Sequence, residues 1–155
     1  MKNILIENII HNFEQQRLLC EKMVASAQEQ LEILRQAKKA GMPSQVMDIM
    51  AERQKLLDDL QVLEVENRAL QQQVISELEI NEFTLSKLKA KLESEQFANL
   101  KEMVNQMGNI LKSISEIDDQ NQLLMKESLA RVNKTKTRVN NQQASKAYNQ
   151  AKNLK

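Results

Sequence analysis

Few residues in this sequence are of the types that catalyse reactions, and their spacing keeps them apart. There is one histidine, His11, and one cysteine, Cys20, nine positions further on. A helix turns by about 100° per residue, so these two side chains point in opposite directions and cannot form a nucleophile–base pair within one helix. Cys20 falls among apolar positions and is expected to be buried as a small hydrophobic residue. His11 lies beside those positions and is expected at the surface.

Two acidic pairs, Asp58–Asp59 and Asp118–Asp119, are the next candidates for chemistry. Adjacent side chains on a helix diverge by about 100°, so neither pair is suited to share a proton or to hold a metal ion. The sequence also lacks zinc-ligand spacing, a Walker-type phosphate loop and a GxGxxG motif. We therefore expect no enzyme activity, no metal, no cofactor and no small-molecule substrate.

The composition predicts the elements that carry these residues. Two glycines, one proline and 3% aromatic residues among 155 are too few for a protein built from strands and tight turns. Leu, Ile, Met, Ala, Glu, Lys and Gln dominate, which is typical of long helices with aliphatic cores. A single cysteine favours a reducing compartment. Because no apolar run has the length of a signal h-region or a membrane span, we expect a cytoplasmic protein with no stable membrane insertion.

Apolar residues recur every three or four positions, which predicts helices. Gly41 and Pro43 mark the firmest break, where a left-handed glycine can end one helix and proline prevents its continuation. A short connection is expected at 79–83, with Thr84 capping the next helix and a bend at Ser94. The predicted fold is all-α: an elongated antiparallel hairpin with a third long helix, resembling a coiled-coil bundle. The predicted helices span about residues 2–40, 44–78 and 85–132 of one domain, 1–132.

Each predicted helix has one stripe of inward-facing residues. The first stripe contains Ile6, Ile10, Phe13, Arg17, Cys20, Val24, Ala27, Leu31 and Leu34. The second contains Val46, Ile49, Arg53, Leu56, Leu60, Leu63, Asn67, Leu70 and Val74, and it stutters before Leu78. The third contains Leu100, Met103, Met107, Ile110, Ile114, Ile117, Asn121 and Leu124.

The third stripe changes register after Leu124, where the apolar positions move to Met125, Leu129 and Val132. A stripe that widens in this way exceeds what one neighbouring helix covers, and methionines suit a surface that must fit more than one partner. Two interpretations stay open from the residues alone. Either this surface binds a partner helix, or it packs against the chain's own first two helices.

The C-terminal residues 133–155 differ in composition from the rest. Seven bases and no acid follow Ser128, whereas the other 15 bases and all 21 acids precede it and leave a balance of −6 there. Apolar residues are sparse, so a frayed or disordered basic tail is expected. Weak, sequence-independent binding of nucleic acid or an anionic membrane is the alternative interpretation, but Tyr148 is the only aromatic residue available for stacking. We expect no nucleic-acid partner.

The order of several motifs resembles a known family. Leu31-Glu32-Ile33-Leu34 is followed, after the break, by the segments Glu52–Leu60 and Leu63–Leu70, then Phe83-Thr84-Leu85-Ser86-Lys87-Leu88, and last Asp118–Met125. This pattern resembles the FlgN family of flagellar export chaperones over about residues 18–132. Family members often carry two asparagines three positions apart in the last helix, where this chain has Asp118 and Asn121.

The resemblance implies a small cytosolic chaperone for type III flagellar export. It would bind the C-terminal amphipathic helices of hook-associated (hook–filament junction) proteins, prevent their premature assembly and aid their export. Export-gate components would be further partners, and the protein would be a monomer or weak homodimer. The cargo-binding residues expected on this basis are Asn121, Leu124, Met125, Leu129 and Val132.

A self-assembling structural coiled coil without export cargo is the alternative function. Arg53, Asn67 and Asn81 are polar insertions of the kind that fix register and oligomeric state in coiled coils. This alternative predicts a stable oligomer whose size does not change when a cargo is added.

Overall fold

The computed structural model describes residues 2–37 and 41–134, with side chains for residues 4–37 and 41–130. Helices account for 89% of the described residues, and no strand occurs among them. The all-α class predicted from composition is therefore confirmed. The helices are α1 Lys2–Gln36, α2 Ser44–Leu78, α3 Leu85–Lys89 and α4 Ser94–Lys134.

The break between α1 and α2 contains Gly41 and Pro43, as predicted, but it begins earlier than predicted. α1 ends at Gln36, a few residues before the predicted end, and the Ala37 amide donates a hydrogen bond to the Leu34 carbonyl at 3.4 Å. Gly41 has a φ of 101°, a value that side-chain-bearing residues rarely adopt. α2 then begins at Ser44, as predicted.

The C-terminus of α2 is closed by a residue that is unusual at such a position. Glu79 follows the helix with a φ of 56°. Its amide donates to the Ser76 carbonyl at 3.4 Å, and the Ile80 amide donates to the Ile75 carbonyl at 3.2 Å. These two bonds form a Schellman motif, in which glycine is the usual left-handed residue. The motif satisfies two carbonyls at the helix end, but a glutamate adopts this backbone conformation at a conformational cost.

Replacing Glu79 by glycine is expected to raise the free energy of unfolding by about 0.5–1 kcal/mol, because glycine adopts a positive φ without steric cost. Urea denaturation followed by circular dichroism measures this change. Glu77, also exposed but inside α2, provides the matched control. Glu77→Gly is expected to lower stability by about 1 kcal/mol. Equal destabilisation by both substitutions would show that Glu79 is not strained.

The third predicted segment is two helices rather than one. Thr84 caps α3 as predicted, since its side chain accepts a hydrogen bond from the Lys87 amide. α3 ends at Lys89, and in the turn that follows the Leu88 carbonyl accepts from the amides of both Lys91 and Leu92. α4 begins at Ser94, the position of the predicted bend. The predicted helical segment 85–132 is therefore interrupted at residues 90–93, directly before the predicted bend.

The chain divides into two compact units. Among the described residues, unit 1 contains 2–20 and 59–110, and unit 2 contains 21–37, 41–58 and 111–134. The core of unit 1 joins all four helices: its buried residues are Ile6, Ile9, Val74, Leu78, Leu88 and Leu100. Leu88 is the buried residue of α3 and has no exposed surface.

A layer of amide side chains crosses unit 1 between α1 and α2. Asn12 donates to the Leu63 carbonyl at 3.0 Å and accepts from Asn67 at 2.9 Å and from Gln16 at 2.7 Å. Asn67 in turn accepts a hydrogen bond from Gln71. Asn67 also donates to the Ile9 carbonyl at 3.4 Å. Asn12 of α1 thus contacts Leu63 of α2, whereas Ile9, earlier in α1, contacts Asn67, later in α2. The two helices are therefore antiparallel, and a neutral hydrogen-bond network fixes their register.

Candidate functional site

Unit 2 contains the part of α4 in which the cargo-binding residues are predicted. It packs the C-terminal part of α1, the N-terminal part of α2 and the C-terminal part of α4 against one another. Buried apolar residues from all three helices form its core: Met23, Ala27, Leu31, Leu34, Val46, Ile49, Met50, Leu56, Leu57, Ile114 and Met125.

The structure buries two of the five predicted residues in the interior of this unit. Asn121 has no exposed surface, and its Nδ2 donates to the Ala27 carbonyl of α1 at 3.1 Å. Met125 is 2% exposed, and its Sδ accepts from Nε2 of Gln30, also on α1, at 3.5 Å. The partners advance together along the two helices, from Ala27 with Asn121 to Gln30 with Met125. α4 is therefore parallel to α1 in this unit, and α1 covers this face of α4.

The remaining predicted residues lie at the edges of that face or outside the described part. Leu124 and Leu129 are half-buried. Val132 lies within α4, but its side chain is outside the described residues. The predicted basic tail lies almost wholly outside them, from residue 135 onward. Leu111 and Leu123 are the exposed leucines of α4 in unit 2, at 44% and 59%.

A buried ion pair joins α2 to α4 beside Asn121. Arg53 is 1% exposed and Asp118 is 3% exposed. The guanidinium binds both carboxylate oxygens, with Nη1–Oδ1 at 2.9 Å and Nη2–Oδ2 at 2.7 Å. This fork-to-fork geometry is the strongest form of an Arg–carboxylate contact. Asn121 Nδ2 also contacts Asp118 Oδ1 at 3.4 Å, which connects the predicted site to the ion pair.

The ion pair is part of a buried polar layer that crosses unit 2 and consists of Gln30, Arg53, Asp118 and Asn121. Some buried polar atoms of this layer have no hydrogen-bond partner among the described residues. Gln30, with no exposed surface, accepts from Nη1 of Arg53 at 3.0 Å. Two buried polar atoms of the layer, Nε of Arg53 and Oδ1 of Asn121, have no hydrogen-bond partner among the described residues. A buried polar atom without a partner destabilises the arrangement that buries it.

Sequence reasoning identifies half of this layer. Arg53 and Asn121 stand out because each interrupts an apolar stripe. Asp118 attracts notice only as part of an acidic pair, and Gln30 does not stand out at all. A signal for Asp118 exists, because it lies three positions before Asn121, where family members often have asparagine. Its pairing with Arg53, 65 positions away, becomes visible only once α2 and α4 are packed.

Two polar contacts lie at the periphery of unit 2. Nη2 of Arg35 donates to Oε1 of Gln120 at 2.7 Å, where α1 approaches its end. Ser128 is 2% exposed, and its hydroxyl donates to the Gly41 carbonyl at 2.6 Å. These contacts secure α4 to the end of α1 and to the break that follows it.

The residues first considered for chemistry are separated in the structure. Cys20 is buried, as predicted. His11 is exposed and contacts Gln15 at 3.2 Å. Within residues 2–37 and 41–134, no cluster of His, Cys, Asp and Glu is arranged to hold a metal ion. In the same part of the chain, no helix combines the length and hydropathy needed to cross a membrane.

Comparison with known proteins gives one result. No match was found among curated proteins or among solved structures. The family model described as FlgN protein, in contrast, matches residues 1–155, all of the chain. This match agrees with the motif order in the sequence and with the all-helical structure. The chain therefore belongs to the FlgN family of flagellar chaperones.

Proposed function

We propose that this protein is a cytoplasmic type III export chaperone that binds the C-terminal amphipathic helices of hook-associated proteins. It prevents their premature assembly and aids their export. The whole-chain family match is the observation that carries this proposal. The absence of a catalytic constellation from the sequence is consistent with reversible binding that needs no nucleotide hydrolysis. The protein acts as a monomer or weak homodimer, and export-gate components are its further partners.

The proposed cargo-binding surface is the face of α4 that contains Asn121, Leu124, Met125, Leu129 and Val132. An amphipathic cargo helix needs an apolar face of similar width to cover its own stripe. Leu124 and Leu129 are half-buried and accessible at the edges, whereas Asn121 and Met125 contact α1. A cargo helix that uses the whole face therefore replaces α1 on α4. Binding that requires such an exchange loses affinity, which suits a cargo that must later be released.

Isothermal titration of the full-length chain with the C-terminal segment of a hook-associated protein from the same organism tests this function. One-to-one binding with a negative heat-capacity change is expected. The Leu124→Ala/Leu129→Ala variant is expected to weaken binding by at least tenfold, because both side chains are proposed to contact the cargo helix. Circular dichroism of the variant verifies that it remains folded.

The matched control is Leu111→Ala/Leu123→Ala, which removes two exposed leucines from the same part of α4. This variant is expected to bind as the original chain does. Loss of binding in the control alone would move the site to the exposed face of α4.

No binding to the original chain at tens of micromolar would contradict the chaperone function. If light scattering then found a stable oligomer of constant size, the structural coiled coil would replace it.

A further inference from the structure

The two units differ in the chemistry of their buried polar layers. In unit 1, the layer between α1 and α2 consists of neutral amides, and Asn12 and Asn67 each use both the oxygen and the nitrogen of their side chains. In unit 2, the layer that secures α4 contains a full positive and a full negative charge. It also leaves Nε of Arg53 and Oδ1 of Asn121 without a partner among the described residues.

The two charges determine how easily the contact of unit 2 separates in comparison with an apolar contact. When an apolar layer opens, its surface is exposed to water at a full hydrophobic cost. When a buried ion pair opens, both charges recover their hydration, and that gain offsets much of the lost attraction. The two unpartnered atoms also reach water only in the open state, which favours opening further. The α4 contact of unit 2 therefore opens more readily than an apolar contact of equal size.

The opening would expose the proposed binding face. Asp118 lies three positions before Asn121 and seven before Met125, so all three side chains lie on the face of α4 that points into unit 2. Separation of Arg53 from Asp118 frees the same helix face that α1 covers through Ala27 and Gln30.

We propose that the Arg53–Asp118 ion pair is a latch: it holds residues 111–130 of α4 against α1 and α2, and its opening exposes the face that binds the cargo helix. This inference rests on the proposed function for its second part, whereas its first part concerns the free protein. The latch makes the apparent affinity for cargo depend on the fraction of molecules that are open, because only these can bind.

Hydrogen exchange of the full-length chain, measured by mass spectrometry, tests the latch without any cargo. In the original chain, amides of residues 111–130 are expected to exchange at least tenfold faster than those of residues 60–74, which pack in unit 1. Asp118→Asn weakens the ion pair and is expected to accelerate exchange of 111–130 by tenfold or more, with less change at 60–74. Asp119→Asn, at the neighbouring exposed position, is the control and should change neither segment.

A second variant changes the latch in the opposite direction. Gln30→Leu/Arg53→Met/Asp118→Val replaces both charges and the amide that contacts Arg53 by apolar side chains, so that no buried charge is left unpaired. It is expected to slow exchange of 111–130 by tenfold or more and to weaken cargo binding by a similar factor. The Asp118→Asn variant should bind cargo at least as tightly as the original chain. This variant tests the latch even if the triple variant does not fold.

The outcomes separate the latch from the chaperone function. If the amides of residues 111–130 exchange no faster than those of residues 60–74 in every variant, α4 opens only when the whole chain unfolds. The latch is then wrong. If the triple variant slows exchange but binds cargo as the original chain does, opening is not required for binding and the second part of the inference is wrong. If the original chain binds no cargo, the proposed function fails, while the exchange rates still decide whether the latch exists.

Discussion

Arg53→Met is expected to lower the free energy of unfolding by about 3–5 kcal/mol, a large fraction of the stability of a domain of this size. The substitution leaves the Asp118 carboxylate buried without its guanidinium partner, and Gln30 loses the donor to its side-chain oxygen. Methionine matches arginine in helix propensity and approximate length, so the change reports the lost charge pairing rather than a lost helix. Urea denaturation with a two-state fit measures it.

Arg68→Met is the control, because Arg68 is an exposed arginine on the same helix. Its expected effect is within about 0.5 kcal/mol. Adding Asp118→Val to Arg53→Met is expected to recover part of the loss, since the unpaired charge is removed. If both arginine substitutions had equal, small effects, the ion pair would contribute nothing to stability, and the latch would lose its basis.

Leu88→Ala is expected to lower the free energy of unfolding by about 2–5 kcal/mol. α3 has only five residues, which is too short to be stable by its own hydrogen bonds, so its position depends on packing. Leu88 supplies that packing: it has no exposed surface and lies in the core that joins Ile6, Val74 and Leu100. Its truncation leaves a cavity in unit 1 and releases α3 from that core. Thermal and urea unfolding measure the loss.

Lys89→Ala provides a matched control, since Lys89 occupies the next position of α3 and is exposed. This control is expected to change stability by less than about 0.5 kcal/mol. A comparable effect of the two substitutions would indicate that α3 is held by its hydrogen bonds and its Thr84 cap rather than by Leu88.

The helices are largely predictable because their signals are local. Gly41 and Pro43 break the chain, Thr84 caps a helix, and an apolar residue every three or four positions defines an inward stripe. The second stripe is the most accurate: Val46, Ile49, Leu56, Leu60 and Val74 are all buried, as are the polar intruders Arg53 and Asn67. The complete break after α3 is not predictable in the same way, since residues 90–93 contain neither glycine nor proline.

The first stripe shows what periodicity cannot detect. Asn12, Gln16 and Gln30 are buried, although the predicted stripe contains their neighbours Phe13, Arg17 and Leu31 instead. A buried amide is stable when it has a hydrogen-bond partner. Gln16 has its partner on the same helix, in Asn12, whereas Asn12 and Gln30 have theirs on α2, in Leu63, Asn67 and Arg53. The partners on α2 lie at least 23 positions away along the chain, so no local pattern reveals them.

The sequence predicts which residues form the candidate site, but not whether a partner can reach them. The register change after Leu124 identifies a widened apolar stripe, and the sequence leaves open whether a partner or the chain itself covers it. In the structure α1 covers Asn121 and Met125, while Leu124 and Leu129 remain half-buried at the edges. The composition of α4 alone cannot decide this, because the same residues suit either neighbour.

The burial of Cys20 has a practical consequence for handling the protein. It is the only thiol in the sequence and is fully covered in the folded chain. Two native molecules therefore cannot become joined through a disulfide bond while that part of α1 stays packed. A covalent dimer on a non-reducing gel identifies molecules that have opened, not an oligomer of the native state, and the rate at which an alkylating reagent consumes the thiol measures how often they open.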